Sequence, residues 1–512
     1  MTDDDTLERA RTHIGAGQIQ QALDLCLPLA NTGNAEAIYL LAIVSHHGAM
    51  HEEALNLYRE AAKQLPDRAD VFYNFGVFLR EQGQVDGAIE AWMQAAKLNS
   101  NHWQASFNLG VALSETQRDE EAVAAYEHTL RAAPGNVDAS FNMGNVRYRL
   151  GQWADARTAF EQVLKIQPKH TGAQTNLGLT LVRSGDDVSG VKLCRDAVSG
   201  SPDHIAAHVN LGHALLAAGD WHAGFRELEW RWKVQIAPAH LINTPHWDGG
   251  KLNGSHLVLY GEQGHGDVLQ FVRFVSLARE MACAERLSIV CHPALKGVVA
   301  RVLGVDDVFA LDEDPGQADA TAALMSLPTI LWRQDSRPLP PPPYIQAPPP
   351  RFFDVVSQRD LRVGLVWRGN RDHANDVNRS CALSPLLALC DVPGVHLFSL
   401  QWQSMTVEEQ AIAAGHDNFV DLGHDFDGFD QAAEILAGLD VLVTVDTAMA
   451  HLAGAMGLET WLILPKVSDW RWRTADGYPQ WYPQVRLFQK TDQENDWSGV
   501  VTRLSKALSE KT

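Results

Sequence analysis

An exact 34-residue period over about residues 35–235 limits what this 512-residue chain can fold into. Asparagine recurs at this spacing, at Asn74, Asn108, Asn142, Asn176 and Asn210. Glycine follows each of these asparagines two residues later, and a second series of small residues keeps the same period from Ala54 to Gly224. Large side chains recur in step with them, beginning at Tyr58 and Trp92. Chance does not hold several series in register over this length, so the segment is built of repeats.

A 34-residue unit with this pattern predicts the helix–turn–helix of a tetratricopeptide repeat. Small residues let the two helices of a unit approach closely, and large residues fill the remaining gap. Proline ends the second helix of several units, at Pro66, Pro134, Pro168 and Pro202. We therefore expect an all-α superhelix over residues 1–235, with about six repeats. The GQIQQALDL stretch (17–25) predicts a partial, out-of-phase unit at the amino end.

The recurring asparagines suggest a binding surface. On the first helix of a repeat this position faces the concave groove, so stacked amides offer a row of donors and acceptors to the backbone of an extended peptide. The alternative is that each asparagine bonds within or between helices. Because no basic residue stands one turn before any of the five, a clamp for a peptide's carboxyl end is excluded. The sequence thus predicts a protein partner in the groove.

Composition excludes several classes of function. The formal net charge is −21 and the pI about 5.4, which argues against nucleic acid as a partner because phosphate backbones need a basic surface. No apolar run reaches the length of a membrane span, and the MTDDDTLERA start has no apolar core of a signal peptide. The six cysteines have no metal-ligand spacing. We expect a cytoplasmic protein without a metal site or a transmembrane segment.

Strand-length apolar segments alternate with helical ones after the period ends. The predicted strands are 256–260, 286–293, 305–311, 362–367, 395–400, 418–422, 441–445 and 460–465. Such alternation predicts parallel sheets with helices on both faces. A proline-rich stretch, 336–351, predicts a stiff linker between two Rossmann-like lobes, 236–335 and 352–512. Ligands of such folds bind at the carboxyl ends of the strands, so we expect a cleft between the lobes.

The segment VTVDTAMAHLAGAMG (443–457) places polar residues where a strand meets a helix. Asp446, Thr447 and Ala448 begin the helix, whose first backbone N–H groups and dipole form an anion site. His451 lies one turn along and can donate to a phosphate. Alternatively, Asp446 and Thr447 are ordinary helix caps.

A polar loop after the strand at 362–367 carries Arg368, Arg371 and Arg379 in an otherwise acidic chain. Guanidinium groups suit phosphate because of their forked donors, so this loop together with the helix start indicates a diphosphate, as in a nucleotide-sugar. The alternative is a solvated loop that balances nearby aspartates. Gln401 can read a base edge, while the tryptophans of SDWRWR (468–473) are either base-stacking groups or a structural plug.

The first lobe carries GEQGHGDVLQF at its first strand–helix turn. Its glycines fit neither a dinucleotide fingerprint nor a P-loop. Asp267 begins the helix and is either its cap or a base for an acceptor hydroxyl, and His265 is a second candidate for that base.

The motifs GEQGHGDVLQFVRF, VGLVWRGN…NRS and VTVDTAMAHLAGAMG together resemble, in order, those of GT-B glycosyltransferases related to family 9, the heptosyltransferases. The combination with repeats is also similar in plan to protein O-GlcNAc transferases and repeat-bearing flagellin glycosyltransferases. The resemblance implies that Asp267 is the catalytic base and that Asp446, Thr447 and His451 match the donor site D-[ST]-G-x-x-H, in which Ala448 replaces the glycine. It implies a metal-independent, inverting reaction without a cofactor, whose donor is a nucleotide-sugar.

Three functions follow as hypotheses. The first is a glycosyltransferase that modifies serine or threonine hydroxyls of a protein bound by the repeats, for example flagellin or another surface protein. The second is a repeat scaffold with a degenerate, non-catalytic GT-B module. The third is a heptosyltransferase-like enzyme acting on lipopolysaccharide or a small acceptor. No sequence feature selects among UDP, ADP, GDP and CMP sugars or fixes the oligomeric state.

Overall fold

A computed structural model describes residues 2–252, 255–332, 339–351, 360–370, 376–402, 405–474, 479–491, 493–494 and 496–512. The chain forms two compact units, Met1–Ala173 and Gln174–Thr512. The division falls inside the repeat array, whereas the sequence places the end of the repeats at residue 235. The structure therefore groups the last repeats with the α/β part of the chain.

The first unit consists of antiparallel helical pairs. Its helices are α1 (Asp3–Gly15), α2 (Ile19–Asn31), α3 (Ala35–His47), α4 (His51–Gln64), α5 (Ala69–Glu81), α6 (Val85–Leu98), α7 (Trp103–Glu115), α8 (Asp119–Ala132), α9 (Val137–Arg149) and α10 (Trp153–Ile166). The α1–α2 pair is a complete helical hairpin, so the expectation of only a partial unit at the amino end was wrong. Its apolar positions are offset from the 34-residue period, which made it look incomplete.

Close helix–helix contact explains the recurring small residues. A Cβ atom at Gly76 would lie 2.6 Å from the Trp92 ring, and one at Gly144 would lie 2.6 Å from the Phe160 ring. The predicted pairing of a small residue on the first helix with a large one on the second is thus confirmed. Pro66 stands two residues after the end of α4, as expected of a residue that cannot continue a helix.

The second unit begins with the remaining repeat helices. They are α11 (Thr171–Arg183), α12 (Asp187–Gly200), α13 (Ile205–Ala217) and α14 (Trp221–Leu228). Phe225 of α14 is buried and packs edge-to-face on Phe271, Trp332 and Trp470 of the α/β part. Because α14 shares a hydrophobic core with the sheets, these repeats belong to the same compact unit as the sheets.

The first sheet of this unit is parallel, with the order β3-β2-β1-β4. Its strands are β1 (His256–Tyr260), β2 (Arg286–Cys291), β3 (Asp307–Ala310) and β4 (Ala320–Ala323). Helices α15 (His265–Phe271), α16 (Val275–Ala282), α17 (Lys296–Val299) and α18 (Leu327–Leu331) connect or follow them. Strand β4 is not among the strands predicted from the sequence, because its ATAA segment lacks the large β-branched and aromatic residues typical of strands.

The second sheet is also parallel and has the order β10-β9-β8-β5-β6-β7. Its strands are β5 (Leu361–Val366), β6 (Val395–Ser399), β7 (Phe419–Asp421), β8 (Val441–Val445), β9 (Thr460–Leu464) and β10 (Val485–Gln489). Its helices are α19 (Asp376–Arg379), α20 (Leu383–Leu386), α21 (Val407–Ala413), α22 (Phe429–Ala437), α23 (Ala448–Ala455) and α24 (Ser498–Ser509). This is the doubly wound order, and its direction reverses between β5 and β8, where ligands of such sheets bind.

The described part of the proline-rich segment, 339–351, contains neither helix nor strand. It is nevertheless anchored, because Tyr344 and Ile345 are buried and both donate backbone N–H groups to the Ala455 carbonyl, over 3.0 and 3.2 Å. The segment is therefore an extended, packed connection. The other predicted residues of the linker, 336–338, lie outside the described residues.

Candidate functional site

The first turns of α15 and α23 meet at the points where the two sheets reverse their strand order. Gly266 at the start of α15 packs so closely on α23 that an added Cβ would lie 2.9 Å from His451 Cδ2 and 3.7 Å from Ala448 Cα. The two motifs predicted to face each other across a cleft are thus in contact. The close approach accounts for glycine at this position.

Arg471 links three groups at this junction and was not predicted. Its guanidinium forms ion pairs with Asp267 of α15 and, over 2.9 Å, with Asp469, and its Nε donates to Gln270. Asp267 is thus engaged by a cation and is about a quarter exposed. Arg471 lies between the two tryptophans of the SDWRWR segment, whose pattern pointed to the tryptophans and not to this arginine.

Several carboxylates and guanidiniums lie close together at the start of α23. Arg379 donates over 3.0 Å to the Asp446 backbone carbonyl and also pairs with Asp376. Burial and the neighbouring Asp469 carboxylate raise the pKa of Asp446, although Arg379 and Arg471 act in the opposite direction. Burial also opposes ionisation of Asp469, but Arg471 and then Arg183 outweigh it and lower its pKa to about 2.

His451 is buried behind this charged cluster. Its Nδ1 lies 3.0 Å from the Tyr482 hydroxyl, which in turn contacts the Tyr344 hydroxyl over 3.2 Å. Burial, assisted by the nearby Arg471, lowers the pKa of His451 to about 3, so the imidazole is neutral at pH 7. If the Tyr482 hydroxyl donates to Nδ1, Nε2 carries the proton and can donate a hydrogen bond to an anion.

Thr447 is the N-cap residue of α23, but its side chain does not cap the helix. Its hydroxyl lies 3.3 Å from the Thr444 hydroxyl instead. Thr447 and Ala448 are both half-exposed at this helix start. The alternative of an ordinary threonine cap therefore does not describe this position, and the helix dipole is available to an external anion.

Arg368 and Gln401 lie together in a buried arrangement of their own. The Arg368 guanidinium pairs with both carboxylate oxygens of Glu409 at 3.0 Å. The Gln401 amide bonds to the Arg368 backbone at both ends, accepting from its N–H and donating to its carbonyl. Gln401 thus stabilises the turn after β5, in contrast to the predicted contact with a base. Of the three arginines, the structure places Arg379 beside the helix start, while Arg371 lies outside the described residues.

His265 points to a different neighbourhood from Asp267. Its ring packs edge-to-face on His292 and Phe429, at centroid distances of 4.6 and 5.3 Å. Burial and the adjacent His292 lower its pKa. The structure therefore brings Asp267, and not His265, into the charged cluster.

The segment 468–473 ties the cluster to the last repeats. Arg473 donates to the Val182 and Ala217 carbonyls, both over 3.1 Å, at the ends of α11 and α13. It also pairs with Asp187 at the start of α12. Arginine suits helix carboxyl ends because its donors satisfy terminal carbonyls and its charge complements the dipole.

The two tryptophans of this segment serve as a structural plug. Trp470 and Trp472 are 7% and 0% exposed, so neither offers a face for stacking on a base. Trp472 packs on His451 and stacks on Tyr482, with ring centroids 5.1 and 5.5 Å apart. Of the two alternatives left open by the sequence, the structure favours the plug.

The repeat asparagines are half-buried and several of them bond within the repeats. In the first unit, Asn74 donates to the Tyr39 hydroxyl and Asn142 bonds to the Tyr126 hydroxyl. In the second unit, Asn210 donates over 3.0 Å to the Asn176 amide oxygen. The alternative of bonds between helices thus applies to these positions, and the role in peptide binding stays a prediction, also for Asn108.

The described part of the chain shows neither a metal-binding cluster nor a membrane-spanning helix. Among those residues, no group of three or more histidine, cysteine, aspartate or glutamate side chains is arranged to hold a metal ion. Across the same described ranges, every helix is too short or too polar to cross a bilayer.

The repeats are matched by known families and structures. Tetratricopeptide-repeat families match residues 50–101, 79–137 and 117–177. Among solved structures, MamA from Desulfovibrio magneticus RS-1 is 21% identical and covers 33% of this chain and 97% of its own, with a TM-score of 0.30. YrrB, described as a TPR protein with an unusual peptide-binding site, is 20% identical and covers 36% of this chain and 94% of its own, with a TM-score of 0.31.

Protein FlbA of Caulobacter vibrioides is similar over more of the chain. It is 26% identical over 319 residues, which are 56% of this chain and 52% of FlbA. The chain thus spans about half the length of this curated relative. Together with the helical pairs and their spacing, the family matches identify the first part of this chain as tetratricopeptide repeats, a module typical of proteins that bind other proteins.

Proposed function

We propose that this chain is a metal-independent GT-B glycosyltransferase that moves a sugar from a nucleotide-sugar to serine or threonine hydroxyls of a protein held by its repeats. The observation that carries the proposal is the meeting of α15 and α23 at the strand-order reversals of two parallel sheets. Asp267, from the first motif, forms an ion pair there with Arg471, which together with Arg379 lies near Asp446. Fold and chemistry thus coincide at the place where doubly wound sheets bind ligands.

Each group has a role in this reaction. Arg379, Arg471 and the start of α23 bind the donor diphosphate and offset its charge as it leaves. Asp267 accepts the proton of the acceptor hydroxyl, whose oxygen bonds to the anomeric carbon. The bond from that carbon to the diphosphate oxygen breaks, and its electron pair stays with the diphosphate. One displacement inverts the anomeric configuration, and no cofactor takes part.

The repeats supply the acceptor. The amides of Asn74, Asn108, Asn142, Asn176 and Asn210 offer hydrogen bonds that do not depend on the acceptor's side chains. Flagellin is the first acceptor to test, because the plan of the chain resembles that of repeat-bearing flagellin glycosyltransferases. Paired Asn108→Ala and Asn142→Ala substitutions should impair transfer to protein without changing hydrolysis of the donor. An equal loss of both activities would make the asparagines structural.

A melting-temperature screen against UDP, GDP, ADP, CMP and their sugars tests donor binding first. A ligand at one hundred times its Kd stabilises the folded state by about 2.7 kcal/mol. Thr447→Val is the matched control, because it removes a hydroxyl at the helix start and keeps the shape of the side chain. A shift for one nucleotide that this variant reduces supports the proposal. Intact-mass analysis of the acceptor then reports transfer, which Asp267→Asn should abolish while donor binding persists.

A non-catalytic scaffold is the second candidate, and one observation favours it. The Asp267 carboxylate is engaged in an ion pair with Arg471, whereas a catalytic base needs a free carboxylate to accept the proton. If no nucleotide or nucleotide-sugar raises the melting temperature, the transferase proposal is wrong and the scaffold becomes the better description.

A further inference from the structure

Arg471 holds the proposed base in an ion pair, and the reaction needs that base free. Its three donor groups face Asp267, Asp469 and Gln270, which come from two different parts of the chain. Asp267 and Gln270 stand one turn apart on α15, whereas Asp469 and Arg471 belong to the 3-10 turn before β10. The arginine therefore links the two lobes of the unit at this point, beside the contact of Gly266 with α23.

The two ion pairs of Arg471 differ in that one is local in sequence and the other joins distant parts of the chain. Asp469 accepts from the Arg471 backbone N–H over 3.1 Å as well as from its guanidinium, so this pair is local and held by its own turn. Asp267 contacts the guanidinium from another helix, 204 positions away along the chain, although its side chain is about as exposed as that of Asp469, at 26% and 22%. The Asp267 contact is thus the one that a ligand can replace.

The neighbourhood of Arg471 is suited to an anion. Arg379 holds the carbonyl of Asp446 at the start of α23, and Arg471 is close enough to affect the ionisation of both Asp446 and His451. The Gln270 amide nitrogen is buried and has no hydrogen-bond partner among the residues that the structure describes. A diphosphate at this position would meet two guanidiniums and the helix dipole.

We propose that Arg471 exchanges partners when the donor binds, leaving Asp267 for the donor diphosphate and thereby freeing the Asp267 carboxylate to act as the base. This inference rests on the proposed function and assigns to Arg471 the coupling between binding of the donor and release of the Asp267 base. The proton of the acceptor hydroxyl passes to Asp267 only once the guanidinium has moved. Without a donor, the ion pair keeps the carboxylate occupied, so the base is unavailable until the leaving group is in place.

Pyrophosphate is the probe that tests the exchange, because it carries the diphosphate chemistry without a base or sugar. Isothermal titration of the full chain should show binding that Arg471→Gln weakens about tenfold or more, as expected for loss of a charge-assisted hydrogen bond. Asp267→Asn should tighten binding several-fold, because Arg471 no longer has to leave a carboxylate. Arg486→Gln is the matched control, since this arginine is exposed on β10 and is not part of the cluster.

The double variant separates partner exchange from simple loss of negative charge. In an Arg471→Gln background, Asp267→Asn should no longer tighten pyrophosphate binding, because the exchange needs both residues. Equal tightening in both backgrounds would overturn the inference, as would an Arg471→Gln variant that binds as well as the unmodified protein. Melting curves of each variant exclude unfolding as the cause.

A nucleoside diphosphate titration keeps this test distinct from that of the proposed function. If UDP, GDP, ADP and pyrophosphate all fail to bind the unmodified chain, the proposed function fails and the exchange falls with it. If one of them binds and Arg471→Gln leaves its Kd unchanged, the exchange and the diphosphate contact of Arg471 are wrong, and the transferase proposal then rests on Arg379 and the start of α23.

Discussion

Glu262, in the turn after β1, is a buried carboxyl whose ionisation should weaken the fold. One of its oxygens accepts from Arg231 over 2.7 Å, while the other is buried without a partner among the described residues. Burial raises its pKa from an ordinary 4.5 to about 7, although Arg231 opposes the shift. Between these two values the folded chain holds a proton that the unfolded chain has released. The free energy of unfolding should therefore fall as the pH rises from about 5 to 8.

Glu262→Gln removes this titration and keeps an oxygen that can accept from Arg231. A pKa shift of this size corresponds to about 3 kcal/mol at high pH. For the unit Gln174–Thr512, an unfolding entropy of about 2.1 cal/mol/K per residue converts this to a Tm difference of about 4 °C. We expect the variant and the unmodified chain to melt together near pH 5 and the variant to melt higher at pH 8.

Calorimetry across this pH range checks the prediction, with Glu285→Gln, at an exposed glutamate, as the matched control. The exposed substitution should give a Tm difference that does not vary with pH. A Glu262→Gln variant that melts lower than the unmodified chain at pH 8 would refute the reasoning. The Arg231 ion pair would then outweigh the cost of burying the charge.

Three further substitutions have defined outcomes. Gly144→Ala should destabilise the first unit by about 1–3 kcal/mol because its Cβ collides with the Phe160 ring. Gly135→Ala, whose Cβ meets no neighbour within 4 Å, is the control, and urea unfolding measures both variants. His451→Ala should cost about 2 kcal/mol or more, because it removes one of the two hydrogen-bond partners of the buried Tyr482 hydroxyl and leaves a cavity, a loss that Tm reports without any ligand. Asp446→Asn should raise Tm increasingly with pH, because burial raises the pKa of this carboxyl; a constant difference would contradict this.

Local patterns were sufficient to predict most of the architecture. The 34-residue period gave the repeats, and the predicted strands 256–260 and 441–445 coincide with β1 and β8. These segments are long, apolar and flanked by clear turns, so their secondary structure is encoded locally. Strands β4 and β10 were missed because one is alanine-rich and the other is an edge strand with exposed positions.

The residues of the candidate site could be picked out from the sequence only where a motif and a helix start coincide. Asp446, Thr447 and Asp267 can be found from their places after strands. Arg471 cannot be found in this way, because its role depends on two ion pairs formed by folding, one of them to a residue 204 positions away. The same holds for Gln401 and Arg368, whose side chains turned inward to Glu409 and the backbone.

Charge balance around α23 predicts that donor binding takes up a proton. The carboxylates of Asp267, Asp446 and Asp469 lie among the guanidiniums of Arg379, Arg471 and Arg183, so a bound diphosphate adds negative charge in excess. The cluster can relieve that excess at Asp446, because burial already raises the pKa of this carboxyl and an adjacent anion raises it further. Titration calorimetry with pyrophosphate in Pipes and Tris, whose ionisation enthalpies differ, should give a difference in heat between the buffers that is larger in the unmodified chain than in Asp446→Asn, where the proton taken up by Asp446 is absent. An equal difference between the buffers in both proteins would show that Asp446 stays ionised, and that movement of Arg471 alone must accommodate the diphosphate.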